Sequence, residues 1–174
     1  MDAPETITEA SPIDSRVSTF VQSMVFSRNF EEGMGLVEKA ADYLDGTGRE
    51  ASRDLSRSGS IAYANISMRV TTLLMQSASW LLVLKAIREN EISIEESRDP
   101  KFRLGAREAR PLSIDQSDVP AELIELSEQA EGFYDRIRRI DLDLFSTDQE
   151  EKKTTGVALQ MQSLMDAFGS SAKG

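Results

Sequence analysis

The sequence contains no cysteine and no histidine among its 174 residues. Zinc sites built from those ligands, thiol catalysis, disulfide bonds and histidine-based triads are therefore excluded. Aromatic residues make up only 6% of the chain, which argues against stacking platforms for bases or sugars. Acidic residues outnumber basic ones by 30 to 20, so neither nucleic acid nor an anionic membrane surface is the expected partner. These absences favour a binding or regulatory protein without cofactor or metal over an enzyme.

A hydrophobic run long enough to span a membrane is also missing. The first fourteen residues contain no basic residue and two prolines, unlike a secretory signal. The most apolar stretch, residues 70–84, has fifteen residues without a charge, whereas a spanning helix needs about 20 apolar residues. We therefore expect a buried helix at this position, no membrane span, and a cytoplasmic protein.

Hydrophobic spacing predicts three long helices. Apolar residues recur at helical intervals over residues 15–45, 54–90 and 119–145. The glycine-containing stretch Asp45–Gly48 is suited to ending the first helix. Asp118 is the expected N-cap of the third helix, because a proline follows close to the first turn.

Together these helices predict an all-α fold, an antiparallel three-helix bundle of long helices over residues 14–145. Residues 1–13 and 146–174 are then flexible tails. About 27 residues, 91–117, separate the second and third helices. A structureless connection of that length is uncommon in a compact domain, and its apolar residues indicate that it lies along the bundle.

The second helix is apolar on two faces. Ile61, Met68, Met75 and Leu82 repeat every seven residues, about 200° around the helix from the main apolar set. A helix that is apolar on both faces has to bury both. The pattern therefore predicts a homodimer with these four residues in its interface. Packing of the same stripe against the first helix or the long connection is the alternative.

Two basic features stand out within the chain. Arg69 is the one charge between Ile61 and Leu84, and a buried charge needs a partner, so we expect it to pair with an acid of the first or third helix. A basic cluster lies in the long connection, and it is either a surface for an acidic partner or an ordinary solvated loop. Its members are Arg98, Lys101, Arg103, Arg107 and Arg110, of which Arg103, Arg107 and Arg110 are candidate partner-binding residues.

A short amphipathic motif lies near the C-terminus. Its apolar residues follow one another at helical spacing, which is typical of a helix that binds in a groove. They are Val157, Met161, Leu164, Met165 and Phe168, and the last four are candidate partner contacts. A dispensable terminus and docking back onto the bundle remain alternatives.

Two strings carry a resemblance to a known family, GLVEKAADYLDG at Gly35–Gly46 and SMRVTTLLMQSASWLL at Ser67–Leu82. They resemble the RcdA family (regulator of CtrA degradation) of alphaproteobacteria. The resemblance implies a dimeric three-helix bundle that acts as a non-enzymatic adaptor at a cell pole. It further implies help in delivering CtrA and other substrates to the ClpXP protease, together with a CpdR-like response regulator and a PopA-like cyclic di-GMP effector. It carries over no catalytic residue.

A ligand-sensing helical domain is the alternative function. Such a domain would bind a small molecule within the bundle and signal through a change of oligomer. A thermal shift of the isolated protein with cyclic di-GMP would favour it. A carboxylate-metal enzyme in a helical bundle would need Glu-x-x-His pairs, which a chain without histidine cannot supply.

Overall fold

The computed structural model describes residues 11–106 and 117–146, and over these residues the chain is helical without strands, which confirms the all-α class. The chain has six α-helices in this part, and the second of them ends at Asp45, where the sequence predicts a helix end. Two 3₁₀ turns, Ser52–Asp54 and Pro100–Phe102, accompany them. The α-helices are α1 (Pro12–Val21), α2 (Met24–Asp45), α3 (Thr47–Ala51), α4 (Arg57–Arg88), α5 (Ile94–Ser97) and α6 (Ala121–Phe145).

The structure has two helices, α1 and α2, where the sequence predicts one over residues 15–45. Ser23 makes the break: its hydroxyl oxygen accepts the backbone N–H of Phe26 at 3.2 Å and so caps α2. The Ser23 N–H donates to the carbonyl of Phe20 at 2.9 Å and closes α1. The prediction of a single helix is wrong here, because a serine that satisfies both helix ends competes with helix continuation. α1 also begins at Pro12, within the predicted N-terminal tail.

α2 runs antiparallel to α6. Glu32 forms an ion pair with Arg136 at 2.5 Å, and Lys39 donates a hydrogen bond to Gln129 at 3.0 Å. Seven residues forward on α2 thus correspond to seven residues backward on α6. Successive helices of the predicted antiparallel bundle alternate in direction, so its first and third helices would be parallel, and the observed direction of α2 and α6 differs from that expectation.

α4 and α6, in contrast, run parallel. Asp118 accepts the N–H of Ser56, and Asp141 accepts the indole N–H of Trp80. Within these pairs, the two partners lie 62 and 61 residues apart in the sequence. A constant separation means that both helices advance in the same direction. The predicted bundle has its second and third helices antiparallel, so the prediction is wrong for this pair. The connection makes this possible, because residues 89–120 are long enough to return along a helix of about 1.5 Å per residue.

The core is formed where α2, α4 and α6 meet. Trp80 is 3% exposed and lies within it. Gly33 lets α2 approach closely, since a Cβ there would lie 2.5 Å from Leu81 Cδ1 and 2.9 Å from Phe133 Cζ. Among the described residues, the other large hydrophobic side chains that are fully buried are Val17, Phe26, Ile66, Val70, Leu84, Leu123, Leu126, Tyr134 and Ile137.

Asp118 supports the N-cap of α4 and is not itself the N-cap of α6. Its carboxylate accepts the Ser56 N–H at 2.8 Å, and the Ser56 hydroxyl accepts the Gly59 N–H at 3.1 Å. The N-cap of α6 is Pro120, which has no side-chain acceptor. The predicted cap of the third helix is therefore wrong, because the parallel arrangement places the start of α4 beside the residues that precede α6.

Candidate functional site

The stripe predicted on the second helix is exposed to solvent on α4. Ile61, Met68, Met75 and Leu82 are 53%, 69%, 65% and 51% exposed. No described residue covers them, whereas the opposite side of α4 is buried in the core. Exposed apolar surface of this extent on one helix is typical of a surface that binds a protein.

The exposed face of α4 also lacks charge. Arg69, the one charged residue between Ile61 and Leu82, turns aside and forms an ion pair with Glu131 of α6 at 2.8 Å. This confirms its expected partner. We call the exposed positions the α4 face; they are Ile61, Ala64, Asn65, Met68, Thr71, Thr72, Met75, Gln76, Ser79 and Leu82.

The two threonines at the centre of the α4 face have hydroxyl groups that are already hydrogen-bonded within the helix. The hydroxyl of Thr71 donates to the carbonyl of Ser67 at 2.9 Å, and that of Thr72 donates to the carbonyl of Met68 at 2.8 Å. Burying a hydroxyl is costly only where its hydrogen bond is lost. Because these bonds lie within the helix, a partner can cover both threonines without breaking them.

A groove borders the C-terminal half of the α4 face. Met75, Ser79 and Val83 of α4 form one side, and Phe102 and Leu104 form the other; the enclosed volume is about 350 Å³. We call the segment Lys101–Gly105 the side wall. Phe102 and Leu104 belong to the apolar residues by which the sequence places the connection along the bundle, but they were not among the candidate site residues.

A buried ion pair holds the side wall in place. Asp141 of α6 is 1% exposed; its carboxylate accepts two hydrogen bonds from Arg103, both at 2.8 Å, and its carbonyl accepts a third at 2.9 Å. The indole N–H of Trp80 donates to the same carboxylate at 2.7 Å. The Arg103 guanidinium also lies 3.7 Å from the centre of the Phe145 ring.

Arg103 is thus used within the protein, although the sequence offers it as a partner-binding residue. Its side chain is 22% exposed, and a role in partner binding stays a prediction. The other candidate contacts lie outside the described residues, and their roles also stay predictions. They are Arg107, Arg110, Met161, Leu164, Met165 and Phe168.

The sequence held a signal for Asp141 that composition alone does not reveal. Asp141 lies between Ile137 and Leu144 at spacings of four and three, which places its carboxylate on the buried seam of α6. A charge at such a position requires a partner, because burial without one is costly. That requirement predicts a basic neighbour without locating it in the chain, and the structure identifies it as Arg103.

A buried tyrosine supports the same segment. The Tyr134 hydroxyl donates to the carbonyl of Gly105 at 2.9 Å and fixes the end of the side wall on α6. Burial raises the pKa of Tyr134, so the phenol keeps its proton at neutral pH.

Among residues 11–106 and 117–146, no three histidine, cysteine, aspartate or glutamate side chains come together as a metal site would need.

α4 has the length and composition of a membrane-spanning helix, the one such helix in the described part of the chain. Core helices of soluble proteins meet the same criterion, so it is weak support for a span. Of the most apolar 18-residue stretch of this helix, 44% is buried inside the structure.

Comparison with known proteins agrees with the strings on α2 and α4. A family model described as "Protein of unknown function (DUF1465)" matches residues 17–168. RcdA from Caulobacter crescentus CB15 is similar in its crystal structure, with 41% sequence identity, a TM-score of 0.62, and coverage of 74% of this chain and 97% of that chain. The chain belongs to the RcdA family. No curated protein gives a significant match. The stronger RcdA-like string, Ser67–Leu82, lies along the α4 face, and the family match extends past α6 into the C-terminal motif.

Proposed function

We propose that this protein is a non-enzymatic adaptor of regulated proteolysis. Membership in the RcdA family supports this role, and the observation that carries it is the exposed, uncharged α4 face, which is suited to binding and offers no chemistry. In this proposal it helps deliver CtrA and other cell-cycle regulators to ClpXP. It acts with a CpdR-like response regulator and a PopA-like cyclic di-GMP effector, in the cytoplasm and at a cell pole.

The polar clusters of the described residues favour binding over catalysis. The carboxylate of Asp141 is enclosed by Arg103 and Trp80, and that of Asp118 supports the N-cap of α4. Both groups are thus engaged in holding the fold, and neither lies free in a cleft as a general acid or base would. The arrangement is that of a scaffold which presents surfaces.

Reconstituted proteolysis tests the adaptor role. Purified ClpXP, CtrA, the response regulator and the cyclic di-GMP effector are combined with and without this protein, and loss of CtrA is followed over time. We expect faster degradation only when the protein is present. Equal rates with and without it, together with a thermal shift of the protein alone by cyclic di-GMP, would instead support the ligand-sensing alternative.

A homodimer formed through the α4 face is part of the proposal. Met75→Glu should weaken the dimer at least tenfold, since burying a methionine contributes about 1.5–3 kcal/mol and a carboxylate resists burial. The matched control is Val25→Glu, because Val25 of α2 is also exposed, at 55%, but lies on another helix. Light scattering at tens of micromolar measures both. A wild-type monomer at these concentrations would contradict the dimer.

The C-terminal motif is proposed as a tethered partner contact, with Met161, Leu164, Met165 and Phe168 as its apolar anchors. A tethered motif raises the effective concentration of the complex even where it binds weakly. Deleting residues 157–174 should slow delivery of at least one substrate and leave the melting temperature nearly unchanged. Full-rate degradation with the truncated protein would show that the motif is dispensable. A melting temperature lowered by many degrees would show that it belongs to the fold.

Arg107 and Arg110 are proposed to contact an acidic partner. Replacing both with glutamine removes two charges and keeps a polar side chain at each position. The variant should bind its acidic partner more weakly, and the deficit should shrink as salt is added. Unchanged binding at low salt would leave the basic cluster as ordinary solvated surface.

A further inference from the structure

A cavity between the C-terminal half of α2 and the start of α6 has a volume of about 560 Å³. None of the described residues that line it belongs to α4 or to the side wall, so it is separate from the α4 face. We propose that this cavity binds a lysine- or arginine-rich peptide segment of a partner protein. We call it the acidic cavity; Glu38, Asp42, Tyr43 and Glu122 line it, together with Lys39.

Three carboxylates of the acidic cavity are not neutralised. Glu38 and Asp42 lie one turn apart on α2, and Glu122 lies on α6. None of the three forms an ion pair within the described part of the chain. Lys39, the one base among the lining residues, instead donates a hydrogen bond to Gln129 of α6 at 3.0 Å. The carboxylates are therefore available for charge-assisted hydrogen bonds with the basic side chains of a partner.

The end of α2 adds to the negative potential of the cavity. A helix C-terminus carries partial negative charge, which favours basic residues in the last turn. The last turn of α2 has no basic residue, and Asp42 and Asp45 lie there instead. Acids at this position disfavour the helix, and a bound cationic group offsets that cost. Such a local conflict is typical of a functional site.

A buried hydroxyl in the wall of the cavity lacks a hydrogen bond. Tyr43 is 6% exposed, and its hydroxyl has no hydrogen-bond partner among the described residues. Burial, and to a smaller degree the charge of Glu122, raise the pKa of Tyr43, so the phenol keeps its proton at neutral pH. Buried polar groups are rarely left without a partner, and this one needs an acceptor for its proton.

The hydroxyl of Tyr43 favours a peptide over a small cation. A peptide carbonyl can accept the phenol proton while a neighbouring basic side chain pairs with the carboxylates, whereas a protonated polyamine or a metal ion offers no acceptor. Among the described residues, no three acids are arranged as a metal site would need. The volume of the cavity also lies within the range of about 300–1,000 Å³ that is usual for binding pockets.

The charge around the cavity extends the attraction beyond its lining residues. Among the described residues, the half of the bundle around the start of α4 (residues 36–68 and 117–130) has nine acids and four bases. The half around its end (11–35, 69–106 and 131–146) has twelve acids and eleven bases. An imbalance of this kind raises the local concentration of a cationic segment and speeds its association.

Fluorescence anisotropy of a labelled peptide tests the site on the full chain. The probe is a short dye-labelled peptide of alternating lysine and glycine. The cavity variant combines Asp42→Asn with Glu122→Gln. Its matched control combines Glu31→Gln with Glu91→Gln, which removes the same number of charges at exposed positions outside the cavity. Tyr43→Phe tests the hydroxyl alone.

We expect the wild type to bind the peptide and the cavity variant to bind it about tenfold more weakly, because charge-assisted hydrogen bonds are lost. The control variant should lose no more than about twofold, since distant exposed charges are screened by salt. Tyr43→Phe should bind about threefold more weakly without a lower melting temperature, because the hydroxyl that it removes has no partner in the free protein.

Equal losses in the cavity variant and its control would overturn the inference, because binding would then follow net charge alone. Undiminished binding by Tyr43→Phe, or no binding of the peptide to the wild type at low salt, would overturn it too. Spermine or Ca²⁺ that binds the wild type more tightly than the peptide does would assign the cavity to a small cation instead. A failed degradation assay, in contrast, would affect only the adaptor role.

Discussion

Removal of the Arg103 side chain from the buried carboxylate of Asp141 is the perturbation that the structure defines best. Arg103→Met keeps most of the aliphatic length and removes three hydrogen bonds, all between 2.8 and 2.9 Å. Breaking a buried ion pair from one side costs about 3–5 kcal/mol, because it leaves an uncompensated charge. Since Arg103 is itself 22% exposed, we expect the lower end, about 3 kcal/mol, or a melting temperature lowered by about 6–12 °C.

The sole tryptophan makes the assay simple. Trp80 donates to the same carboxylate, so its fluorescence reports unfolding in urea and also responds to the local change, while circular dichroism follows the helices. Lys101→Met is the matched control: Lys101 is 66% exposed on the same segment, and its loss should change stability by no more than about 0.5 kcal/mol.

A double variant separates the charge from the packing. Adding Asp141→Asn to Arg103→Met neutralises the buried group but keeps an oxygen that accepts the Trp80 indole, so the double variant should be more stable than Arg103→Met alone. Additive losses from the two substitutions would refute the reasoning, since independent sites add and coupled ones do not. A loss below about 1 kcal/mol for Arg103→Met would refute it as well.

Three further predictions concern the fold. Gly33→Ala should destabilise the protein by about 1–2 kcal/mol, because overpacking outweighs the gain in helix propensity. Gly132→Ala has open space at its Cβ and should stabilise the protein by up to about 1 kcal/mol. Urea unfolding measures both variants. Trp80→Ala should lower the free energy of unfolding by about 3–5 kcal/mol, with partner binding lost only as a consequence; a stable variant that no longer binds would refute this. The Glu96 pKa is lowered because the carboxylate accepts the backbone N–H of Ser93 and its hydroxyl, so this stabilisation is present at neutral pH and lost as pH falls through the lowered pKa. NMR titration should show Ser93→Ala moving that pKa partway back up.

The presence of α4 and α6, and most of their buried residues, could be predicted from the sequence. Their apolar residues follow a helical period over many turns, and such a period has few alternative explanations. The exposed stripe on α4 was predicted for the same reason, since Met68 and Met75 lie on the side opposite Leu73 and Trp80. The ion pair of Arg69 was predicted because a charge within an apolar helix needs a partner, and Glu131 is that partner.

The relative direction of the helices could not be predicted in this way. A helical period indicates which face of α4 or α6 is buried but is the same for parallel and antiparallel neighbours. Direction depends on the path of residues 89–120, and no local pattern reports that path. The cap assignment of Asp118 failed with it, because an N-terminal cap motif is read from adjacent residues, while Ser56 reaches Asp118 only through the folded topology.

The parallel direction of α4 and α6 links the fold to the proposed dimer. Two parallel neighbours require the chain to return toward the start of the bundle between them. Along the described part of that return, Arg103 lies at Asp141 and Gly105 at Tyr134, so the chain moves back along α6 while Phe102 and Leu104 flank the open side of α4. An antiparallel pair joined by a short turn would have no such return. The asymmetry of the α4 face, with a wall at one end only of the described surface, is therefore a consequence of topology.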